Sequence, residues 1–230
     1  VNRLGSLVSA DLTATDRLLV IPLGATEQHG SHLPLGTDTE IAVALAGRAA
    51  AQLPNVVVAP AIPYGSSGEH QAFPGTLSIG QGVIETVLVE LVRSASLTFP
   101  RVLLLTAHGG NAVPVTRAVE RLRDERRDVV AWNPASAWDG DAHAGLIETS
   151  VMLALMPETV DMTRAAAGNT QPLRELLPDL VHGGVAAVSP NGVLGDPSGA
   201  SRDYGWTLLA QAVVALTEFI ALWPAPALAR

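Results

Sequence analysis

Apolar residues along this chain come in two rhythms. Short unbroken blocks cover Leu18–Leu23, Val56–Ala59, Arg101–Thr106 and Val129–Trp132. Such blocks predict strands, and Val102-Leu103-Leu104-Leu105 suits a parallel strand buried on both faces. Between the blocks, apolar positions recur at helical spacing, as at Val83, Val87, Leu88 and Leu91. This predicts helices over Thr39–Gln52, Gln81–Leu97, Ala112–Arg126, Leu146–Leu155 and Tyr204–Leu222, with Pro157 and Pro224-Ala225-Pro226 stopping the last two. Strands and helices alternate with short connections. The expected architecture is one α/β domain over residues 1–230, a three-layer α/β/α arrangement with a mainly parallel central sheet. No internal repeat and no linker divides the chain.

Two stretches follow neither rhythm. One runs from Ala61 to Ser78 and carries Pro63, Gly65, Gly68, Pro74 and Gly75; the other runs from Gly183 to Ser201 and is rich in Gly, Pro, Asn and Asp. Both read as loops, and loops this long inside compact domains usually carry function.

Composition narrows the chemistry. The net charge of −8 argues against a general nucleic-acid or anionic-membrane surface. Arg121, Arg123, Arg126 and Arg127 cluster, but Glu120, Asp124, Glu125 and Asp128 offset them, as on a solvated helix face. No apolar run reaches the roughly 18–20 residues of a membrane span. No basic segment followed by an apolar one opens the chain, so a cytoplasmic protein is expected. The chain has no Cys and no Lys. Disulfides, thiol nucleophiles, thiolate ligands, a Walker-type phosphate loop and Schiff-base chemistry are thereby excluded. No G-x-S-x-G elbow is present either. Hydrolysis would need a metal, or carboxylates and histidines alone.

Those residue types gather behind the predicted strands, where ligands bind in open parallel sheets. Glu27 and His29 follow the first strand, two residues apart, and in extended chain they share a side. Asp38 follows across a Gly/Pro turn. One carboxylate, one imidazole and a second carboxylate at a strand end read as half of a metal site. Glu69 and His70 lie in the loop after the second strand, His108-Gly109-Gly110-Asn111 follows the third, and His143 and Glu148 lie beyond the fourth. Each has a plainer reading. Asp38 fits the cap of the next helix as well as a ligand. Glu148 fits a favourable charge at a helix N-terminus. His108 could mark only a tight turn. His70 and Glu69 could line a substrate entrance or be solvated. His32 and His182 have no partner in sequence and read as structural.

Taken together, several ordered segments resemble the creatininase family of metal amidohydrolases. They are Glu27-Gln28-His29-Gly30 with Leu35-Gly36-Thr37-Asp38, Tyr64-Gly65 with Glu69-His70 and Phe73-Pro74-Gly75-Thr76, His108-Gly109-Gly110-Asn111, and His143-Ala144-Gly145 with Glu148-Thr149-Ser150. The late segment Gly192–Pro197 also fits, so the resemblance spans about residues 18–205. Within the family, the stretch from Gly184 to Pro197 looks most like the peptidase branch that serves mycofactocin maturation.

The resemblance implies a fold of the creatininase type and two divalent ions, of zinc, iron(II) or manganese, which ligand type does not separate. Glu27 and His108 would bind one ion, His29 the second, and Asp38 would bridge them. In creatininase a Glu two residues after the His108 position completes the second site. Here that position is Gly110. The departure counts against creatinine chemistry, and Glu148 is the natural substitute ligand. His143 matches the family's histidine near the scissile group, and Tyr64, Glu69 and His70 fall where substrate would bind. Trp138, Trp206, Phe73 and Tyr64 are candidates for apolar substrate contacts. The implied substrate is a modified precursor peptide, cut to release its C-terminal Val-Tyr dipeptide. Hydrolysis of a small cyclic amide or a formamide is the alternative, and a non-catalytic metal-binding protein a third. A homo-oligomer is also implied.

Overall fold

The computed structural model describes residues 1–12 and 16–223; the expected stop at Pro224-Ala225-Pro226 lies outside the described residues. Five parallel strands form one sheet in the order β1-β3-β2-β4-β5. They are β1 (Asn2–Arg3), β2 (Leu18–Leu23), β3 (Val56–Val58), β4 (Arg101–Thr106) and β5 (Asp128–Trp132). The helices are α1 (Thr37–Gln52), α2 (Gln81–Ala95), α3 (Ala112–Asp124), α4 (Leu146–Leu155), α5 (Leu173–Gly183), α6 (Val185–Val188) and α7 (Arg202–Leu222).

The unbroken aliphatic blocks now have their reason. Successive strand residues point to opposite faces. Leu18, Val20, Leu103 and Leu105 pack with α1, α4 and α7. Leu19, Ile21, Val102 and Leu104 pack with α2 and α3. Both faces are covered, so both sets must be apolar. Each fully buried Leu contributes about 1.5–3 kcal/mol.

The order places β3 on one side of β2 and β4 on the other. The chain therefore reverses its direction of travel across the sheet between β2 and β4. A crevice opens at the carboxyl ends of such a strand pair. These two strands pair residue for residue, from Leu18 with Arg101 to Leu23 with Thr106, so they end level. Gly24 directly follows β2. A Cβ there would stand 2.2 Å from the Thr39 hydroxyl oxygen. This glycine lets the first turn of α1 press against the strand end, and that turn carries Asp38.

Several expectations need correction. α1 begins at Thr37, two residues earlier than its spacing predicts. β1 was not legible. The apolar spacing does not predict α5, and α6 lies in a stretch that reads as loop. Pro178 sits inside α5 and argues against a helix in sequence. Tertiary packing overrides it, because Leu176 joins Val185, Leu194 and Phe73 in a small separate cluster. That cluster ties α5 and α6 to the Ala61–Ser78 loop. One helix bears on the membrane expectation. α7 has 21 residues, and an 18-residue window within it has a mean hydropathy of 1.6, which meets the length and composition of a span. Its residues Leu208, Leu209, Ala212, Val213, Leu216 and Ile220 are instead buried in the core shared with α1 and α4.

Candidate metal centre

Three connections deliver side chains to the crevice. The segment after β2 brings Glu27 and His29, both fully buried, and α1 brings Asp38 at 1% exposure. The turn after β4 brings His108, the segment before α4 brings His143, and the first turn of α4 brings Glu148. Asn111 fastens two of these connections to each other. Its amide donates to the Gly24 carbonyl at 3.0 Å and its oxygen accepts from the Ser66 backbone at 2.9 Å. Asp38 does not cap its helix. The N-cap of α1 is Gly36, with no side-chain cap bond. Asp38 instead stands between two imidazoles, 3.2 Å from His29 Nε2 and 3.4 Å from His108 Nδ1.

The outer nitrogens of three histidines are held by backbone. His29 Nδ1 lies 3.1 Å from the Glu27 carbonyl, His108 Nε2 2.8 Å from the Ser66 carbonyl, and His143 Nε2 2.8 Å from the Gln28 carbonyl. A carbonyl only accepts, so each of these nitrogens carries the hydrogen. The opposite nitrogen of each ring then faces carboxylates. His108 Nδ1 is 3.2 Å from Glu27 Oε1. His29 Nε2 is 3.9 Å from Glu148 Oε2, and His143 Nδ1 is 3.9 Å from both Glu27 Oε1 and Glu148 Oε2. A bare nitrogen facing a carboxylate is repulsive unless a positive charge stands between them.

That requirement shows in the electrostatics. Burial opposes charging His29, but Asp38, Glu148 and Glu27 outweigh it and raise its pKa to about 10. Burial likewise opposes charging His108, and Glu27 and Asp38 raise it to about 10. Burial would raise Glu27, yet His108, His70 and His29 hold it well below the usual carboxylate range. Glu148 is pushed up to about 7 by burial, with Asp38 and Glu27 adding repulsion. His143 is driven well down by burial and by the neighbouring His29 and His70, so it stays neutral.

The residues fit a divalent cation. Both oxygens of Glu27 and one of Asp38 are buried without a hydrogen-bond partner. Orphaned anionic oxygens are costly and call for a cation. Donor atoms of Glu27, Asp38 and His108 lie within 4.8 Å of one another, as do those of His29, Asp38 and Glu148, and those of Glu27, His29 and His143. The donors are all nitrogen and oxygen, which suits zinc, iron(II) or manganese(II). Backbone carbonyls behind the imidazoles match the outer support that metal-binding histidines normally have.

The remaining candidates divide. His70, expected in an open loop, is 4% exposed with Nε2 3.3 Å from Glu27 Oε1. Glu69 keeps about a third of its side chain exposed and reaches within 3.8 Å of His108 Nε2. Tyr64 is 46% exposed. Trp138 donates to the Leu208 carbonyl at 2.9 Å and packs on the core, whereas Trp206 lies under the Arg48 guanidinium. His32 is buried against the Thr149 hydroxyl at 2.8 Å, and His182 is exposed. Position 110 has no room for a side chain. A Cβ there would stand 2.3 Å from Glu69 Oε1 and from the Ser66 carbonyl. Gln28 is the residue sequence reasoning missed; its only signal was its place between Glu27 and His29.

Comparison with known proteins agrees with this geometry. The family model described as creatinine amidohydrolase matches residues 7–220. The chain is 48% identical over 232 residues to a mycofactocin precursor peptide peptidase of Mycobacterium tuberculosis (strain ATCC 25618 / H37Rv), covering 97% of this chain and 92% of that one. A solved creatininase described as the manganese form superposes with a TM-score of 0.84 at 26% identity, covering 96% of this chain and 98% of that one. A creatininase variant of the Zn-Zn type gives 0.85 at 25% identity, with the same coverage. From its layered fold, its carboxylate–histidine cluster and these likenesses, the chain belongs to the creatininase family.

Proposed function

We propose that this protein is a metal-dependent peptidase that cuts a modified precursor peptide, releasing its C-terminal Val-Tyr dipeptide as a step in mycofactocin maturation. The observation that carries the reading is the buried cluster itself: orphaned Glu27 and Asp38 oxygens face imidazole nitrogens whose outer N–H groups are already held by backbone. The likeness to the mycobacterial peptidase supports the substrate.

Glu27, Asp38 and His108 would hold one ion, and His29, Asp38 and Glu148 a second, with Glu148 replacing the ligand that position 110 cannot carry. A divalent ion supplies a nucleophilic water at neutral pH and polarises the scissile carbonyl. His143 offers Nδ1 as a proton acceptor, since its Nε2 hydrogen is committed to the Gln28 carbonyl. The same atom then returns the proton to the departing amine. Glu69 and Tyr64, both partly exposed, would contact the incoming peptide. His70 holds Glu27 in place.

The test incubates zinc-, iron- or manganese-loaded protein with modified precursor peptide, unmodified peptide and creatinine, followed by mass spectrometry with and without chelator. Release of the modified dipeptide, abolished by chelator, is expected. Creatinine turnover with intact peptide would replace this reading with small-amide hydrolysis.

A further inference from the structure

The structure gives Gln28 a task beyond its place in the chain. Its side chain is 4% exposed, and backbone fixes the orientation of its amide. Oε1 accepts from the Gly30 N–H at 2.8 Å, and Nε2 donates to the Gly192 carbonyl at 3.0 Å. Reversing the amide would set oxygen against oxygen at Gly192 and N–H against N–H at Gly30, so only one orientation is compatible. Gly192 is shaped for this contact. Its φ is +81°, and a Cβ there would stand 2.1 Å from Gln28 Oε1. One hydrogen of Nε2 remains. It points to His70 Nδ1 at 2.8 Å, which must therefore be the bare, accepting nitrogen. The His70 hydrogen is forced onto Nε2, the nitrogen that faces Glu27 Oε1 at 3.3 Å, short of a well-aligned hydrogen bond. The same residue's backbone carbonyl takes the Nε2 hydrogen of His143 at 2.8 Å. The Gln28 amide nitrogen also lies 3.2 Å from His143 Nε2, but both atoms are then donors and no bond forms.

We propose that Gln28 is a positioning residue that locks His70 and His143, two imidazoles with centroids 4.4 Å apart and planes tilted by 46°, so that His70 presents an N–H to Glu27 and His143 presents a bare nitrogen. The lock is asymmetric because the side chain sets one ring and the backbone sets the other. Changing the side chain should therefore flip His70 alone. The consequence for catalysis rests on the metal-hydrolase reading, but the tautomers do not.

The experiment is a two-bond 1H–15N correlation spectrum of the full chain loaded with zinc, which is diamagnetic, with the His70 signals assigned by their loss in His70→Asn. Wild type should show His70 hydrogenated at Nε2. In Gln28→Glu the carboxylate has no hydrogen to offer Nδ1, so the His70 hydrogen should move to Nδ1 while His143 keeps its Nε2 hydrogen. Peptide cleavage in that variant should fall by about tenfold to a hundredfold, as when outer support of a metal ligand is lost. Finding the His70 hydrogen on Nδ1 in wild type would overturn the proposal without any variant. An unchanged His70 in folded Gln28→Glu would overturn it too. Wild-type protein with the expected tautomers but no hydrolysis would instead overturn the peptidase reading and leave the lock standing.

Discussion

The aliphatic core between sheet and helices and the polar cluster at the sheet's carboxyl edge are buried to the same depth. Leu104 in β4 and Glu27 just beyond β2 are both at 0% exposure. Leu104 belongs to a wholly apolar cluster built from four strands and from α2 and α3, with no polar group to satisfy. Around Glu27 are three imidazoles, yet neither carboxylate oxygen has a hydrogen bond of good geometry. Equal burial thus has opposite meanings. The core completes itself, and its burial is stability. The cluster is satisfied on its outer side and unsatisfied on its inner side, so its burial is a standing demand for a cation.

The contrast can be broken from either end. Asp38→Asn keeps the shape of the residue between His29 and His108 and removes its charge. Peptide cleavage should fall by roughly a hundredfold to a thousandfold. Metal content measured by elemental analysis should fall with it. In wild type, chelator should lower the thermal midpoint, since an ion at a hundredfold excess over its Kd stabilises by about 2.7 kcal/mol. In Asp38→Asn chelator should do much less. Full metal and full activity in that variant would defeat the assignment.

Leu104→Ala strikes the other region. It should cost about 2–5 kcal/mol of unfolding free energy by opening a cavity. Metal content of the folded fraction should stay unchanged, as checked by denaturation together with elemental analysis. A Leu104→Ala protein that folds normally but loses metal would show that the two regions are not separable.

A smaller effect tests the border between them. Gly110→Ala places a Cβ against the Ser66 carbonyl and the Glu69 carboxylate. It should destabilise by about 1–3 kcal/mol, the usual range for overpacking. Gly109→Ala, where a Cβ meets nothing within 4 Å, should stay within about 0.5 kcal/mol. Urea midpoints of the two variants provide the comparison.

The smallest effect comes from an ion pair with no buried counterpart. Glu125 is hydrogen-bonded by Arg93 and Arg127, which hold its pKa down at about 2 against an ordinary 4.5. A depressed folded-state value means the pair stabilises above the unfolded pKa and fades as pH falls through the folded one. Wild type should lose more stability than Glu125→Gln between pH 4.5 and 2, followed by urea denaturation across that window. Equal losses would show that the pair contributes nothing, as many surface pairs do.

What could be read in advance followed from local chemistry. The aliphatic blocks announce buried parallel strands because both faces of the sheet are covered. Leu18–Leu23, Arg101–Thr106 and Leu146–Leu155 lie where their spacing puts them. Glu27, His29 and His108 stand out because polar groups directly behind such strands have few ordinary uses. α5 escaped notice because Pro178 is a strong local signal, and only the contact of Leu176 with Val185 and Leu194 overrides it.

The sequence by itself determined the layered α/β plan, the set of chemistries open to a chain without Cys or Lys, and the carboxylates and histidines available at the strand ends. The tertiary structure decided what each of them faces. Asp38 fits a helix cap as well as a ligand until Gly24 lets α1 press against β2 and sets its carboxylate between His29 and His108. His70 is an ordinary loop residue until Gln28 and Glu27 take both its nitrogens. Glu148 is a first-turn charge until it comes within 3.9 Å of His29 and His143, 119 and 5 residues away. Roles of this kind depend on distances between elements, and those distances are set by packing across the sheet rather than by neighbours along the chain.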